Sequence, residues 1–369
     1  MKSSPAFQGG LLALLAACLF GASTPLVQHF GRQLGPFTTA SLLYAGAALI
    51  GAALRKPVDK EARLLRRDWP RLVALAAFGA VIGPVALAWG LQRTSGTSAS
   101  LMLTLEAFFT ALMAWLLYRE TMDRRVWTAM GLLLGGGALL VLDQSSSGTT
   151  QLAGMLAVLL ATAAWGVDNA LSRALAERDP GQVVLAKAAL GATATATLAF
   201  AVGEPLPALA AALALLAVGA SGYGLSLRFY LLAQREFGAA RTGSVFAFAP
   251  FIGGVLAFIG FGGVAGNQAV SWLMAAGGLL MLAGVLLHLT EKHMHQHQHL
   301  AIEHEHAHLH DDGHHDHLHG NLHSNLRSDL QNAHSHWHRH EPTLHTHAHV
   351  PDAHHTHTHE SQTHDRDGL

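Results

Sequence analysis

Half of the 369 residues in this chain are hydrophobic and only 13% are charged, a balance that excludes an ordinary soluble protein of this length. The formal net charge of −1 leaves no excess of positive charge for binding nucleic acid. The single cysteine, Cys18, lies in an apolar run, so the sequence has no disulfide framework. We expect Cys18 to be a small buried hydrophobic residue.

Apolar runs of roughly twenty residues, the length an α-helix needs to cross a bilayer, recur from the N-terminus onwards. The separators between them are short and carry the charged residues, Pro, Asn and Gln. The sequence therefore predicts an all-α membrane protein with ten transmembrane helices. The predicted runs are 9–29, 36–54, 72–92, 97–118, 126–142, 152–172, 182–202, 208–231, 240–261 and 268–289.

The orientation in the membrane is predicted by the basic residues, because short loops rich in Lys and Arg stay in the cytoplasm. The loop 54–71 is strongly basic, whereas Arg32 and Arg93 are the only basic residues of the loops on the opposite side. Both termini are therefore predicted to be cytoplasmic, in a multi-pass protein of the cell (inner) membrane. The other basic residues on the predicted cytoplasmic side are Lys2, Arg119, Arg124, Arg125, Arg173, Arg178, Arg228, Arg235, Arg241 and Lys292.

The membrane part also repeats itself. A shift of 145 residues places Phe20-Gly21 on Trp165-Gly166, and Gln92-Arg93-x-x-Gly96 recurs as Gln234-Arg235-x-x-Gly238. Each predicted repeat, 8–142 and 152–290, contains five helices. Because five is odd, the second repeat must enter the membrane in the opposite orientation, an arrangement typical of transporters.

A third segment, residues 293–369, contains alternating His-x-His sequence and almost no large apolar residues. Such a polar segment is predicted to be disordered and cytoplasmic. Neutral imidazole binds Zn, Ni, Co and Cu, so the tail is predicted to bind such ions with little selectivity. The predicted metal ligands are His295, His297, His299, His304, His306, His308, His310, His314, His315, His317 and His319.

Glu106 lies near the middle of the fourth predicted helix. An ionisable group at this depth is costly and usually faces a cavity, pairs with a partner or takes up a proton. Two interpretations stay open. Glu106 is either a carboxyl group that binds substrate or protons, or a structural carboxyl group satisfied by a neighbouring hydroxyl or backbone group.

Asp168 and Lys187 are predicted to lie at the same depth in the sixth and seventh helices. A salt bridge between them would lower the cost that each charge bears alone. This pair is either purely structural or an inner gate that opens during transport.

Pro84 and Pro250 fall within predicted helices, with several glycines close by. Proline frees a backbone carbonyl and bends a helix, and such interruptions line binding sites in transporters. Membrane helices also tolerate Pro and Gly without a functional role. Trp165 is interpreted either as a packing residue or as a wall of the substrate cavity.

Two segments resemble the EamA-type permeases of the drug/metabolite transporter superfamily. The first is Thr104–Glu120 (TLEAFFTALMAWLLYRE), followed by a Gly-rich helix, and the second is Gly238–Pro250 (GAARTGSVFAFAP). The resemblance covers about residues 8–290 and implies two five-helix repeats that export or exchange small metabolites. The sequence departs from the family at Ala107, where the family often has proline, and at Val264 and Leu42, so the halves are not equivalent.

The sequence thus predicts a transporter, not an enzyme, that moves a small organic metabolite by alternating access. The alternative is a divalent-metal (Ni, Co or Zn) transporter or metal-responsive membrane protein whose tail captures or senses the ion. No cofactor is expected to be required. The expected partners are the lipid bilayer, a small-molecule substrate and metal ions at the tail, and a homodimer is compatible with the sequence.

Overall fold

The structure is a computed structural model. It describes residues 5–56, 62–118, 122, 124–146, 148–175, 178–237, 239–261, 270–289, 294–298, 302–308, 334–340 and 344–348. From Pro5 to Leu289, the regular elements within the described ranges are all helical. The α-helices are α1 (Pro5–Gly31), α2 (Pro36–Ala53), α3 (Trp69–Leu75), α4 (Gly83–Leu91), α5 (Gly96–Met102), α6 (Leu105–Tyr118), α7 (Arg124–Ser146), α8 (Thr149–Ser172), α9 (Pro180–Ala201), α10 (Leu209–Val218), α11 (Ser226–Phe237), α12 (Ala239–Phe246), α13 (Ala249–Phe261) and α14 (Trp272–Leu289).

Eight helical passages in the described ranges are long and apolar enough to span a membrane. They correspond to the first eight predicted runs: Gln8–Gly31, Pro36–Ala53, Arg66–Leu91, Gly96–Leu117, Arg124–Gln144, Thr149–Ser172, Pro180–Ala201 and Leu209–Gln234. The last two runs contain the shorter apolar helices Ala249–Gly260 and Trp272–Leu287. The ninth run is shorter than predicted because the helix is interrupted at Ala247–Phe248, between α12 and α13.

Irregular segments of the helical passages recur at matching points of the chain. The break between α5 and α6 at Leu103–Thr104 precedes the break between α12 and α13 at Ala247–Phe248 by 144 residues. The wide π-helical turns Ala76–Ile82 and Gly219–Leu225 are likewise 143 residues apart. In the first π-helical turn, Pro84 follows closely and has no N–H group to donate to the preceding turn, which favours this irregular backbone.

The first half of the chain (residues before 147) packs mainly on the second half (residues after 147). Helix α1 packs on α11 and α13, while α8 packs on α4 and α6. The helices α2 and α9 pack together, as do α7 and α14, and α5 and α13. The π-helical turn 219–225 approaches α2 very closely, because a β-carbon on Gly219 would lie 1.9 Å from the carbonyl oxygen of Leu43. Every one of these contacts joins residues before 147 to residues after it.

Carboxylates join the halves at both ends of the α2–α9 pair. At one end, Glu204 accepts hydrogen bonds from the backbone N–H groups of Phe37 (3.2 Å) and Thr38 (2.7 Å) in the first turn of α2. At the other end, Asp179 accepts hydrogen bonds from the N–H groups of Gly181 (2.8 Å) and Lys56 (3.2 Å). The unpaired N–H groups that begin α2 and α9 are thus capped.

Large apolar side chains cover the outside of the helical part, among them Phe200, Leu213 and Trp272, as expected for a surface in contact with lipid. Cys18 is exposed on the same surface. The expectation that Cys18 is buried is therefore wrong, because its position on α1 faces outwards rather than towards the helix interface.

The tail contains four short strands in the ranges that the structure describes, where the sequence predicts disorder. Strand β1 (Met294–Gln298) pairs antiparallel with β4 (Leu344–Ala348), and β2 (Ile302–His308) pairs antiparallel with β3 (His334–His340). The physical reason is the alternation itself, since a period of two places every second residue on the same face of a strand. All other residues from 290 onwards lie outside the described residues.

Candidate functional site

A cavity of about 60 Å³ lies between the halves, where α1, α2, α6, α8, α9, α11 and α12 meet the second π-helical turn. This volume holds only a few water molecules. The described lining residues include three charged side chains and six aromatic ones. The lining residues are Phe20, Tyr44, Glu106, Trp165, Asp168, Asn169, Lys187, Gly222, Tyr223, Ser226, Leu227, Tyr230 and Phe246.

Glu106 lies in the first turn of α6, directly after the break in the fourth passage. Asn169 of α8 donates a hydrogen bond from Nδ2 to Oε1 of Glu106 at 2.6 Å. The same amide group is 3.5 Å from the hydroxyl of Thr110, one turn further along α6. Helix α8 therefore fixes the position of this carboxyl group at the edge of the cavity.

Asp168 and Lys187 form a buried ion pair, with 2.5 Å between Oδ2 and Nζ. The structure thus contains the salt bridge that the similar depth of the two residues in their helices suggests. Oδ1 of Asp168 is buried and has no hydrogen-bond partner. The carboxyl group fits only because residue 79 is glycine, since a β-carbon there would lie 2.3 Å from Cγ of Asp168.

The first π-helical turn presents the carbonyl oxygen of Gly79 to two side chains of the cavity wall. Nε1 of Trp165 donates a hydrogen bond to it at 3.0 Å, and the hydroxyl of Tyr44 donates another. A carbonyl in a regular helix interior is used by the i+4 N–H group, so this irregular turn is what frees an acceptor here. The turn thereby orients both aromatic rings.

Aromatic rings from both halves form a continuous wall around the charged groups. The ring of Phe20 lies 5.6 Å from that of Trp165, 5.8 Å from Tyr223 and 5.4 Å from Phe246. Tyr230 lies 5.0 Å from Phe246, in an edge-to-face arrangement. These separations are those of favourable aromatic pairs, so the wall is a packed cluster.

The cavity brings together four of the six candidates chosen from the sequence: Glu106, Trp165, Asp168 and Lys187. Pro84 and Pro250 do not line it. They are buried in the first turns of α4 and α13, where a proline needs no N–H partner and sits beside an interruption of the helix.

Sequence reasoning missed Asn169, Tyr44, Tyr223 and Tyr230. Asn169 could have been found as a polar side chain adjacent to Asp168 at membrane depth. The tyrosines carry a compositional signal, because the chain has only four and three of them line the cavity.

Among the described residues, no group of three or more His, Cys, Asp or Glu side chains is arranged to hold a metal ion. Of the predicted metal ligands, His295 and His297 lie in β1, and His304, His306 and His308 lie in β2. The rest fall outside the described residues: His299, His310, His314, His315, His317 and His319.

Residues 7–142 match the EamA-like transporter family. An uncharacterized transporter of Methanothermobacter thermautotrophicus is 26% identical over 300 residues, which cover 76% of this chain and 85% of that protein. A protein of known crystal structure superimposes with a TM-score of 0.54 at 21% identity, covering 76% of this chain and 94% of the other. At that identity the likeness shows the fold alone.

Proposed function

Because this chain is a membrane protein that carries an EamA-like transporter domain, we propose that it moves a small organic solute across the cell membrane by alternating access. The observation that carries this proposal is the cavity between the halves, with Glu106 and the Asp168–Lys187 pair on its wall. Charged groups at membrane depth are costly and typically serve a transport pathway.

Two inverted five-helix repeats, 8–142 and 152–290, are part of the proposal. The matching breaks and π-helical turns support it, as does the reciprocal packing in which α1 contacts α11 and α13 while α8 contacts α4 and α6. A twofold relation between the halves accounts for all of these pairings. Two such halves can open the cavity to either side by rocking against each other.

The volume of the cavity is smaller than the volume of a typical solute site. Cavities that hold metabolites or drug-sized molecules typically have volumes of about 300–1,000 Å³, several times larger than this one. A solute of that size therefore fits only when the halves move apart.

The experiment that tests alternating access needs no known substrate. In a Cys18→Ser background, Ser226→Cys places a thiol in the cavity wall, and Leu206→Cys provides an exposed control. A membrane-impermeant maleimide is applied to right-side-out and to inside-out vesicles. We expect the cavity thiol to react from both sides and the control thiol from one side only. Reaction of the cavity thiol from one side alone, or from neither, would refute the proposal.

The tail supports a second, separate activity: binding of Zn, Ni, Co or Cu on the cytoplasmic side of the membrane. Its support is the strand register, which places His304 opposite His338, His306 opposite His336 and His308 opposite His334. Opposed residues of an antiparallel strand pair are direct neighbours, and imidazole is a common ligand of these ions.

This activity is tested on the full chain by titrating Zn²⁺ in a calorimeter. Replacing His304, His306 and His308 together by Asn is expected to lower the number of bound ions, whereas replacing the intervening Glu303 and Glu305 by Gln leaves it unchanged. Equal stoichiometry in both variants would exclude these histidines as ligands.

A further inference from the structure

We propose that the cavity is selective for an organic cation whose ammonium group carries at least one N–H, such as a primary amine with an apolar or aromatic body. This inference rests on the proposed transport function and names the substrate class of the same cavity. Three features of its wall support it: the charge balance, an unpartnered hydrogen-bond acceptor and the aromatic faces.

The described lining residues include two carboxyl groups and one basic side chain. Glu106 and Asp168 supply the carboxyl groups and Lys187 the amine, so the lining carries a net negative charge when both carboxyl groups are ionised. Lys187 is already engaged, with its Nζ at 2.5 Å from Oδ2 of Asp168. Within the described residues, no basic side chain forms an ion pair with Glu106. A cationic solute would therefore complete the charge balance of the cavity.

Two buried polar atoms of the described wall have no hydrogen-bond partner: Oδ1 of Asp168, which can only accept when the carboxyl group is ionised, and the hydroxyl of Tyr223, which can accept or donate. The whole Asp168 residue is only 5% exposed. Glu106 accepts a hydrogen bond from Asn169 at Oε1, and a carboxylate can accept further hydrogen bonds. A buried acceptor without a donor costs about 1–3 kcal/mol, so a ligand that brings N–H groups gains by satisfying Oδ1 of Asp168. A fully methylated ammonium has no such groups.

The aromatic wall suits the rest of such a molecule. Rings of Phe20, Trp165, Tyr223, Tyr230 and Phe246 pack within one cluster around the carboxylates. The electron-rich faces of aromatic rings attract ammonium groups and also cover apolar carbon. An anion would instead meet two carboxylates and would have to displace Asp168 from Lys187, which like-charge repulsion disfavours.

The test uses the full chain in lipid nanodiscs and a set of matched probes that share one aromatic body. Phenethylamine carries the ammonium group, phenylalanine is its zwitterionic counterpart, hydrocinnamate is anionic, phenethyl alcohol is neutral, and trimethylphenethylammonium lacks N–H. Binding is measured by isothermal titration calorimetry. We expect phenethylamine to bind more tightly than each of the other four. Tighter binding of any of the other four, or no binding of phenethylamine, would overturn the inference.

Variants then locate the binding site. Glu106→Gln is expected to weaken phenethylamine binding by about ten- to a hundredfold, because a hydrogen bond to a charged partner is lost. Asp143→Asn removes a carboxylate outside the cavity lining and should leave the affinity unchanged. Equal affinities for Glu106→Gln and the unmodified chain would place the amine elsewhere and refute the inference. The probe ranking on the unmodified chain holds even if a variant fails to fold.

The two proposals fail in distinguishable ways. If the thiol at position 226 reacts from both sides but phenethylamine shows no preference, the substrate class is wrong while alternating access stands. If phenethylamine binds selectively but the thiol reacts from one side only, the cavity is an amine-binding site and the transport mechanism is wrong.

Discussion

Gly79 has no side chain, which leaves room for the carboxyl group of Asp168 beside the first π-helical turn. The ion pair in the cavity depends on this space. A β-carbon at this position would lie 2.3–2.5 Å from the atoms of the carboxyl group. Gly79→Ala should therefore shift Asp168, at a cost of about 1–3 kcal/mol for overpacking. The expected result is a lower melting temperature in detergent together with loss of transport.

The matched control for this substitution is Gly131→Ala in α7, where a β-carbon would meet no atom within 4 Å. Alanine favours a helix more than glycine does, so this variant should keep or raise the melting temperature. If both alanine variants melt at the same temperature as the unmodified chain, the gap at Gly79 has no structural role.

The Asp168–Lys187 pair gives a second prediction at the residue scale. Removing one partner, as in Asp168→Asn or Lys187→Met, leaves an uncompensated buried charge and is expected to cost about 3–5 kcal/mol. The double variant removes both charges and should melt at a higher temperature than either single variant. Additive effects of the two substitutions would show that the groups do not stabilise each other.

The charged residues of the site could be predicted from the sequence, but their surroundings could not. Glu106, Asp168 and Lys187 are conspicuous because charge is rare within apolar runs. The acceptor at Gly79 is a backbone carbonyl exposed by an irregular turn. Its availability depends on the backbone conformation and could not be predicted from the identity of the side chains. Asn169 also depends on geometry, since its role follows from a distance of 2.6 Å to a residue 63 positions away.

At the scale of elements, the sequence located the helices but not their interruptions. The run 97–118 predicts one helix, whereas the structure interrupts it at Leu103 and Thr104, which are neither proline nor glycine. The break before α13 has a signal in Pro250, which lies in the first turn of that helix. Tertiary packing of α5 against α13, rather than local sequence, accompanies the break in the first half.

The N-terminus of α2 gives an element-scale prediction. Glu204→Ala removes the acceptor for the N–H groups of Phe37 and Thr38, so the first turn of α2 should fray, at a cost of about 0.5–2 kcal/mol. Hydrogen–deuterium exchange of the peptide containing residues 36–39 is expected to accelerate. Leu206→Ala, at a fully exposed position of the same loop, is the control and should leave this exchange rate unchanged.

At the scale of the whole molecule, the helical body and the tail are expected to act independently. Removing residues 293–369 should abolish most Zn²⁺ binding while transport of the organic solute continues at its original rate. The physical reason is that the described residues of the cavity wall all belong to the helical body. Parallel loss of transport and Zn²⁺ binding in the truncated chain would instead support the metal-transporting alternative.

Membrane orientation is tested at the same scale. The basic loop 54–71 predicts that both termini are cytoplasmic. A green fluorescent protein fused to the C-terminus should fluoresce, whereas alkaline phosphatase fused there should be inactive because it matures only outside the cytoplasm. The reverse pair of results would invert the assigned orientation.

The carboxylates at the two ends of the α2–α9 pair restrict how the halves can move. Glu204 and Asp179 both follow residue 147, and both bind N–H groups that precede it, at opposite ends of the same helix pair. Sliding one half past the other would break both attachments. Rotation about a line that passes through them breaks neither. A pivot along α2 and α9 keeps both attachments, and it would place the smallest displacements at this helix pair and the largest at helices farthest from it.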